Sequence, residues 1–416
     1  MDTSHSENFF FARQPILNRE GSIIAYELLY RSSERNLAPK MPRHATEQVI
    51  VNALNMIGLN NLIEQGTRAF INIDEKMLFD DILHTIPKSS FVLELLEDIV
   101  YTPQIIERIE TLRNAGFTFA LDDVICDTEV IHTLKPVLPH VDIVKLDLPQ
   151  SLSKARPYIN LFKEMRISVL AEKVETETDY NAFKDIGCDL FQGFFFARPT
   201  LISGTKVNPK LALIFRMIEL LSRDKQDDVI SLFEQDAALT VQLLRYINSA
   251  AFSFKSDISS IRQSVALLGN LHLRQWLTMM SYVIGSRDGF QSPLLKLAQE
   301  RAAMMRLLAE AFVVREVAET AAFIGLISLI DALFHQPMGQ LLEELRIDRD
   351  IAQVLLDEAA TPLGDLYRIV RSVENFDHDA ITGFLRTYKI PSARFNQVLQ
   401  KSYELTESFS RHFVSG

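Results

Sequence analysis

Residues 91–125 read FVLELLEDIVYTPQIIERIETLRNAGFTFALDDVI. The stretch opens on a short apolar run that carries Glu94 and passes through TPQIIERIETLRNAG, where apolar residues recur at helical spacing. It closes on a second apolar run that ends in Asp122 and Asp123. A β-run, a helix and another β-run make one βα unit, and the helix carries the chain back so that the two strands lie parallel. Outward from this unit the same rhythm continues in AFINID (69–74), VDIVKLDL (141–148), ISVLAEKV (167–174) and DLFQGFFFA (189–197). Successive runs are roughly 20 to 28 residues apart, the spacing of repeated βα units. An open doubly wound sheet would normally carry a glycine-rich phosphate turn after its first strand; none is present, so a β/α barrel is expected. At the start, FFFARQPILNREGSIIAYELLYR (9–31) reads as a β-hairpin turned at Asn18 to Gly21, leading into the strand that carries Glu27.

Six acidic or amide residues fall near the ends of these strands: Glu27 in AYELLYR, Asn72 in FINID, Glu94 in VLELLED, Asp122 and Asp123 in ALDDV, and Glu172 in LAEKVE. Lys145 in VKLD and Gln192 in LFQGFFFA continue the series. A single carboxylate at a strand end is usually a helix cap or a solvated charge, but an ordered set at the active face of a barrel reads as a site. Oxygen-only ligands suit Mg²⁺ or Mn²⁺ rather than zinc, and such ions activate water and stabilise charge on a phosphodiester.

After about residue 208 the pattern turns helical throughout, as in PKLALIFRMIELLS, DAALTVQLLRYINSAAF and SIRQSVALLGNLHLRQWLTMMS. Asp236 and Ser259 or Ser260 are placed as N-caps, Gly269 and Gly285 mark breaks, and SGTKVNP (203–209) makes a polar linker. Trp276 and Phe194 to Phe196 read as core. The 416 residues are 47% apolar, enough for two or three ordinary cores. A formal charge of −11 with dispersed Lys and Arg gives no electrostatic help to DNA or membrane-surface binding, although a small nucleotide can still be held locally. Cys126 and Cys188 are too few for a disulfide framework and are read as reduced. The N-terminus lacks a signal-peptide pattern, and apolar runs such as AAFIGLISLI stay below the roughly 18 residues of a membrane span. A cytoplasmic protein is expected.

The ordered motifs RQPI, AYELLYR, FIN, LDD, VKLD, AEKVE and QGFFFARP resemble those of the EAL domain family, with Leu28 where that family's signature has alanine. Residues 1–205 thus resemble an EAL cyclic di-GMP phosphodiesterase, and 206–416 resemble the HDOD family. The resemblance implies a modified TIM-type β/α barrel followed by an all-α HDOD-like domain. It also implies two Mg²⁺ or Mn²⁺ ions held by Glu27, Asn72, Glu94, Asp122, Asp123 and Glu172, with Lys145 near the attacking water and Gln192 completing the site. Arg31 corresponds to a ligand-phosphate contact, Glu175 to an outer supporting residue, and Glu97 to the anchor of the loop after the aspartates. The implied reaction is hydrolysis of cyclic di-GMP to linear 5′-pGpG, which favours motility over biofilm. Family members often form homodimers through the barrel, and the helical region is implied to bind a protein partner. The HDOD resemblance implies no second metal site: GLISLIDALF has no histidine beside Asp331, and His272 and His335 do not pair at ligand spacing.

Two departures bear on activity. Residues 124–128 read VICDT where active members carry a glycine-rich loop, and β-branched Val124 and Ile125 narrow the backbone choices there. Lys173 stands where the family has glycine. Two further classes therefore accompany the enzyme: a cyclic di-GMP-binding effector without turnover, and a protein-interaction adaptor that binds no nucleotide.

Overall fold

The computed structural model describes residues 9–32, 66–147, 152–197, 209–248, 258–286, 289–313 and 315–414. Eight strands close a barrel in chain order: β1 (Phe9–Asn18), β2 (Ile23–Ser32), β3 (Arg68–Ile73), β4 (Phe91–Leu95), β5 (Thr118–Ile125), β6 (Ile143–Asp147), β7 (Ser168–Ala171) and β8 (Leu190–Gln192). β1 runs antiparallel to both neighbours, β2 and β8, while the remaining pairs are parallel. This is the expected β/α barrel with its first strand reversed. The hairpin that reverses it turns where expected: Asn18 Oδ1 accepts from the Glu20 and Ser22 amides, and Gly21 takes φ +87°.

The barrel interior explains the position of the site. Ile16, Ala25, Phe70, Val92, Ala120, Ile143 and Leu170 form a buried apolar plug, one residue from each of seven strands. Strand side chains alternate with period two, so the next inward position on each strand lies one layer nearer the C-terminal mouth. Those positions are Gln14, Glu27, Asn72, Glu94, Asp122, Lys145 and Glu172, with Gln192 following Leu190 in the same way. A polar ring therefore sits directly on the apolar plug. Outside the strands, the helices Pro103–Asn114, Leu152–Glu164 and Glu177–Ile186 bury Ile105, Ile109, Leu112, Ala155, Ile159, Phe162 and Ile186 in the surrounding core. Thr102 caps the first of these, and Thr176 with Asp179 forms a capping box on the last.

One sequence expectation changes here. Residues 124 and 125 do not form an altered loop: β5 bulges at Asp123, which takes φ +46°, and then resumes with Val124 opposite Leu146 and Ile125 opposite Asp147. β-branched residues are favoured in a strand, which is what disfavours a mobile turn at this point. Asp127 then caps the helix Thr128–Leu134 by accepting from the Glu129 and Val130 amides.

The chain divides into two compact units, one of residues 1–198 with 372–416 and one of residues 199–371. The expected boundary and linker near 205 lie outside the described residues. The helical region does not remain whole, because its last segment packs with the barrel unit. The C-terminal helix, Ser392–Val414, buries Phe395, Leu399 and Tyr403 at four-residue intervals, a stripe that needs an apolar face to cover it.

In the second unit, Asp236 and Ser260 cap the helices Ala237–Ile247 and Ile261–Gly285, and Gly269 kinks the latter at φ +71°. Trp276 is buried beside Phe233 and Tyr246, as expected of core. The segment Arg315–Phe334 is longer than the sequence reading allowed, being long and apolar enough to span a membrane; 78% of its 18-residue apolar window is buried, and it breaks at Ser328 and Leu329 between two helices. Those are the properties of a core element.

Gly193, just after β8, takes φ +149°, and a Cβ there would lie 2.0 Å from the Val174 carbonyl oxygen. Gly193→Ala is expected to cost about 3 kcal/mol or more by urea denaturation, through clash and backbone strain together. Gly21→Ala, which meets nothing within 4 Å, should cost only about 1–2 kcal/mol.

Candidate metal-binding active site

Lys145 occupies the middle of the polar ring. Its Nζ lies 2.7 Å from Asp122 Oδ1, 2.8 Å from Glu94 Oε1, 2.9 Å from Glu172 Oε1 and 3.2 Å from Glu27 Oε2. The four carboxylates come from β2, β4, β5 and the end of β7, and the lysine from β6. Lys145 is 1% exposed and Glu94 fully buried. Five groups that would each prefer water are thus stacked on an apolar plug, where an unpaired charge is costly.

The electrostatics are one-sided. Burial raises the Glu94 carboxyl well above the usual carboxylate range, the negative charge of Glu27 and Asp122 adds to this, and Lys145 only partly offsets it. Glu172 is pushed up to about 7, mainly by burial. Burial opposes the Lys145 ammonium, but the surrounding carboxylates outweigh it and raise its pKa. One ammonium cannot neutralise four carboxylates. Several acceptors also lack hydrogen-bond donors: Asn72 Oδ1, Glu94 Oε2, Glu172 Oε2 and Gln192 Oε1 are buried without one. Orphaned oxygens and surplus negative charge together fit the demand of hard divalent cations such as Mg²⁺ or Mn²⁺.

Gln192 Nε2 donates to Glu27 Oε2 at 2.5 Å and to Gln14 Oε1 at 2.9 Å. Gln14 lies opposite Glu27 in the β1–β2 ladder. The sequence reading quoted Gln14 within RQPI but gave it no role. The signal available was its position two residues before the plug residue Ile16 on a reversed strand. Asn72 and Glu94 are likewise register partners.

The remaining residues spread toward the mouth. Asp122 and Asp123 gather with Glu97, their carboxylate oxygens within 4.8 Å of one another. Glu97, read as a loop anchor, therefore stands among candidate ligands. Asp123 is exposed and turned outward by its positive φ, so it meets Glu97 rather than the Lys145 cluster. Glu175 is exposed just before the capped helix at Thr176. Lys173 takes φ +53° in place of the family's glycine, and its Nζ reaches Asp147 Oδ2 at 2.7 Å across the rim. Arg31 lies in β2 opposite Phe10, but its side chain is outside the described residues. Cys126 is half-buried against the core and Cys188 fully buried, and burial pushes their thiols up to about 11 and about 12. Neither has the character of a reactive thiolate. In the helical unit His272 approaches Glu319 at 3.8 Å, and His335 ends a helix at φ +54°.

The EAL domain model matches residues 1–199 and the HDOD domain model residues 210–393. The uncharacterized protein YuxH of Bacillus subtilis is 32% identical over 372 residues, covering 88% of this chain and 90% of its own. The cyclic di-GMP phosphodiesterase CdgJ of Vibrio cholerae is 32% identical over 381 residues, covering 89% of this chain and 86% of its own. Among solved structures, an EAL domain protein from Listeria monocytogenes aligns over 48% of this chain and 94% of that one, at 19% identity and a TM-score of 0.38. With both domain models matched in order and two relatives aligned across nearly their full length, the chain belongs to the family of proteins that join an EAL barrel to an HDOD domain.

Proposed function

We propose that the chain is a cyclic di-GMP phosphodiesterase that opens its substrate to linear 5′-pGpG with Mg²⁺ or Mn²⁺. The reading is carried by one observation: four carboxylates converge on a single buried ammonium beside orphaned oxygens of Asn72, Glu94 and Glu172. Glu27, Asn72, Glu94, Asp122, Asp123 and Glu172 would hold two ions, with Glu97 near enough to contribute. When bound, such ions acidify a water and offset the negative charge of the phosphodiester. The Lys145 ammonium orients that water from the floor of the site and stabilises negative charge that develops there. Gln192 and Gln14 fix the Glu27 carboxylate in one orientation. Arg31 contacts a phosphate of the ligand. The relative CdgJ, named as an enzyme of this activity, supports the same substrate. In cells that use cyclic di-GMP, turnover lowers the messenger and favours motility over biofilm, in the cytoplasm, with the helical region meeting a protein partner.

A second reading, a binding effector without turnover, is favoured by one feature. Lys145 already satisfies part of the charge demand of four carboxylates, so the ring is partly neutralised without a metal. Purified protein incubated with cyclic di-GMP and either Mg²⁺ or Mn²⁺ should release linear dinucleotide, read by chromatography, and Glu27→Ala should release none. Binding of cyclic di-GMP with no product from wild type would select the effector.

Lys145→Met should destabilise the metal-free protein by about 3–5 kcal/mol, because it leaves the carboxylates buried without their counter-ion. Saturating Mn²⁺ should recover more stability in this variant than in wild type, measured by thermal denaturation. Protons and metal compete for Glu94 and Glu172, whose carboxyls are raised, Glu172 to about 7. Mn²⁺ affinity should therefore increase as pH is raised through about 7, where Glu172 loses its proton, a profile measurable by calorimetry. A flat profile across that window would remove Glu172 from the ligand set.

A further inference from the structure

The C-terminal helix Ser392–Val414 starts where the HDOD match ends and lies beyond the EAL match altogether. It nevertheless packs in the barrel's compact unit. The contact is specific. The Arg13 guanidinium carbon on β1 lies 4.5 Å from the centre of the Tyr403 ring and 4.4 Å from the centre of the Tyr26 ring on β2. A cation this close to two ring faces is attracted by both. All three residues are buried, at 5%, 1% and 3% exposure for Arg13, Tyr26 and Tyr403.

What lies behind this contact gives it consequence. Arg13 and Tyr26 face outward; their chain neighbours Gln14 and Glu27 face inward and are register partners in the same ladder. Inside, Gln192 bridges Gln14 and Glu27. The outer clamp and the inner bridge are therefore opposite faces of one piece of two-stranded ribbon. A pleated ribbon cannot shift or twist on one face without moving the other.

We propose that Tyr403 is a positioning residue for the barrel site. The C-terminal helix is a strap that presses Arg13 onto Tyr26 and so fixes the ribbon that presents Gln14 and Glu27. The state of the chain's last helix then sets how well the first two strands hold a cation. The metal part of this inference rests on the proposed function; the strap itself does not.

The test uses the full chain with Tyr403→Leu, which keeps an apolar side chain but loses the ring, and Tyr403→Phe, which keeps the ring. In metal-free protein the Gln192 side-chain amide resonances should shift in the Leu variant and stay in place in the Phe variant. Mn²⁺ binding, followed by electron paramagnetic resonance, should weaken about tenfold in the Leu variant alone, as for loss of an outer support of a ligand. Unchanged Gln192 resonances in a folded Leu variant would overturn the strap, as would equal effects of Leu and Phe. Should Tyr403→Leu not fold, Arg13→Lys removes the planar guanidinium and keeps the charge, and is held to the same readouts. Failure of wild type to bind Mn²⁺, with Gln192 still shifting in the Leu variant, would uphold the strap and refute the metal reading instead.

Discussion

The contact between the Lys145 ammonium and the carboxylates of Glu27, Glu94, Asp122 and Glu172 is the constraint around which the barrel is organised. Like charges packed on an apolar floor repel one another and lose their hydration, so they persist only where the scaffold leaves them no other place. The scaffold does this by arithmetic. Each strand places an apolar residue in the plug and, two positions on along the barrel axis, a polar residue in the ring. The plug closes the ring from below, and the strands' pairing prevents any one member from moving outward alone. Rigid strands, rather than loops, hold the groups that must meet a cation, and this favours fixed geometry at the site.

Much of this was legible in the sequence, and the reason is periodicity. Repeated βα spacing indicated a barrel, and the recurrence of Glu27, Asn72, Glu94, Asp122, Lys145 and Glu172 after apolar runs indicated one face of it. The plug residues were harder to see because Ala25 and Ala120 look unremarkable among larger neighbours; only closure of the sheet gives them a common layer. Gln14 stayed hidden for a related reason. Its strand runs backwards, so its polar position precedes its plug residue instead of following it.

The stretch after Asp123 shows where family pattern and local physics part. Loss of glycine read as a damaged loop, yet Val124 and Ile125 are strand residues and take strand pairing with β6 once the bulge has turned Asp123 outward. The effect is to place Asp123 beside Glu97 and Asp122, apart from the lysine. The acidic groups thus fall into a buried set around Lys145, which includes Asp122, and an exposed pair, Asp123 and Glu97, that meets the buried set at Asp122. At the rim, Lys173 and Asp147 neutralise each other near that exposed pair. No sequence pattern announced this division, because it depends on the sign of one backbone angle.

Closure of the barrel also imposes an order on synthesis. β1 emerges first, yet its second neighbour, β8, spans Leu190–Gln192, and the tyrosine that covers its outer face is Tyr403. Contacts between distant parts of a chain must wait for the intervening residues to be made. During translation the first hairpin therefore stands with one edge unpaired until the eighth strand arrives, and with Arg13 away from the Tyr403 ring until residue 403 has been made. The N-terminal ribbon, which carries the first carboxylate of the site, thus keeps an open strand edge, exposed to edge-to-edge association, until β8 has been made.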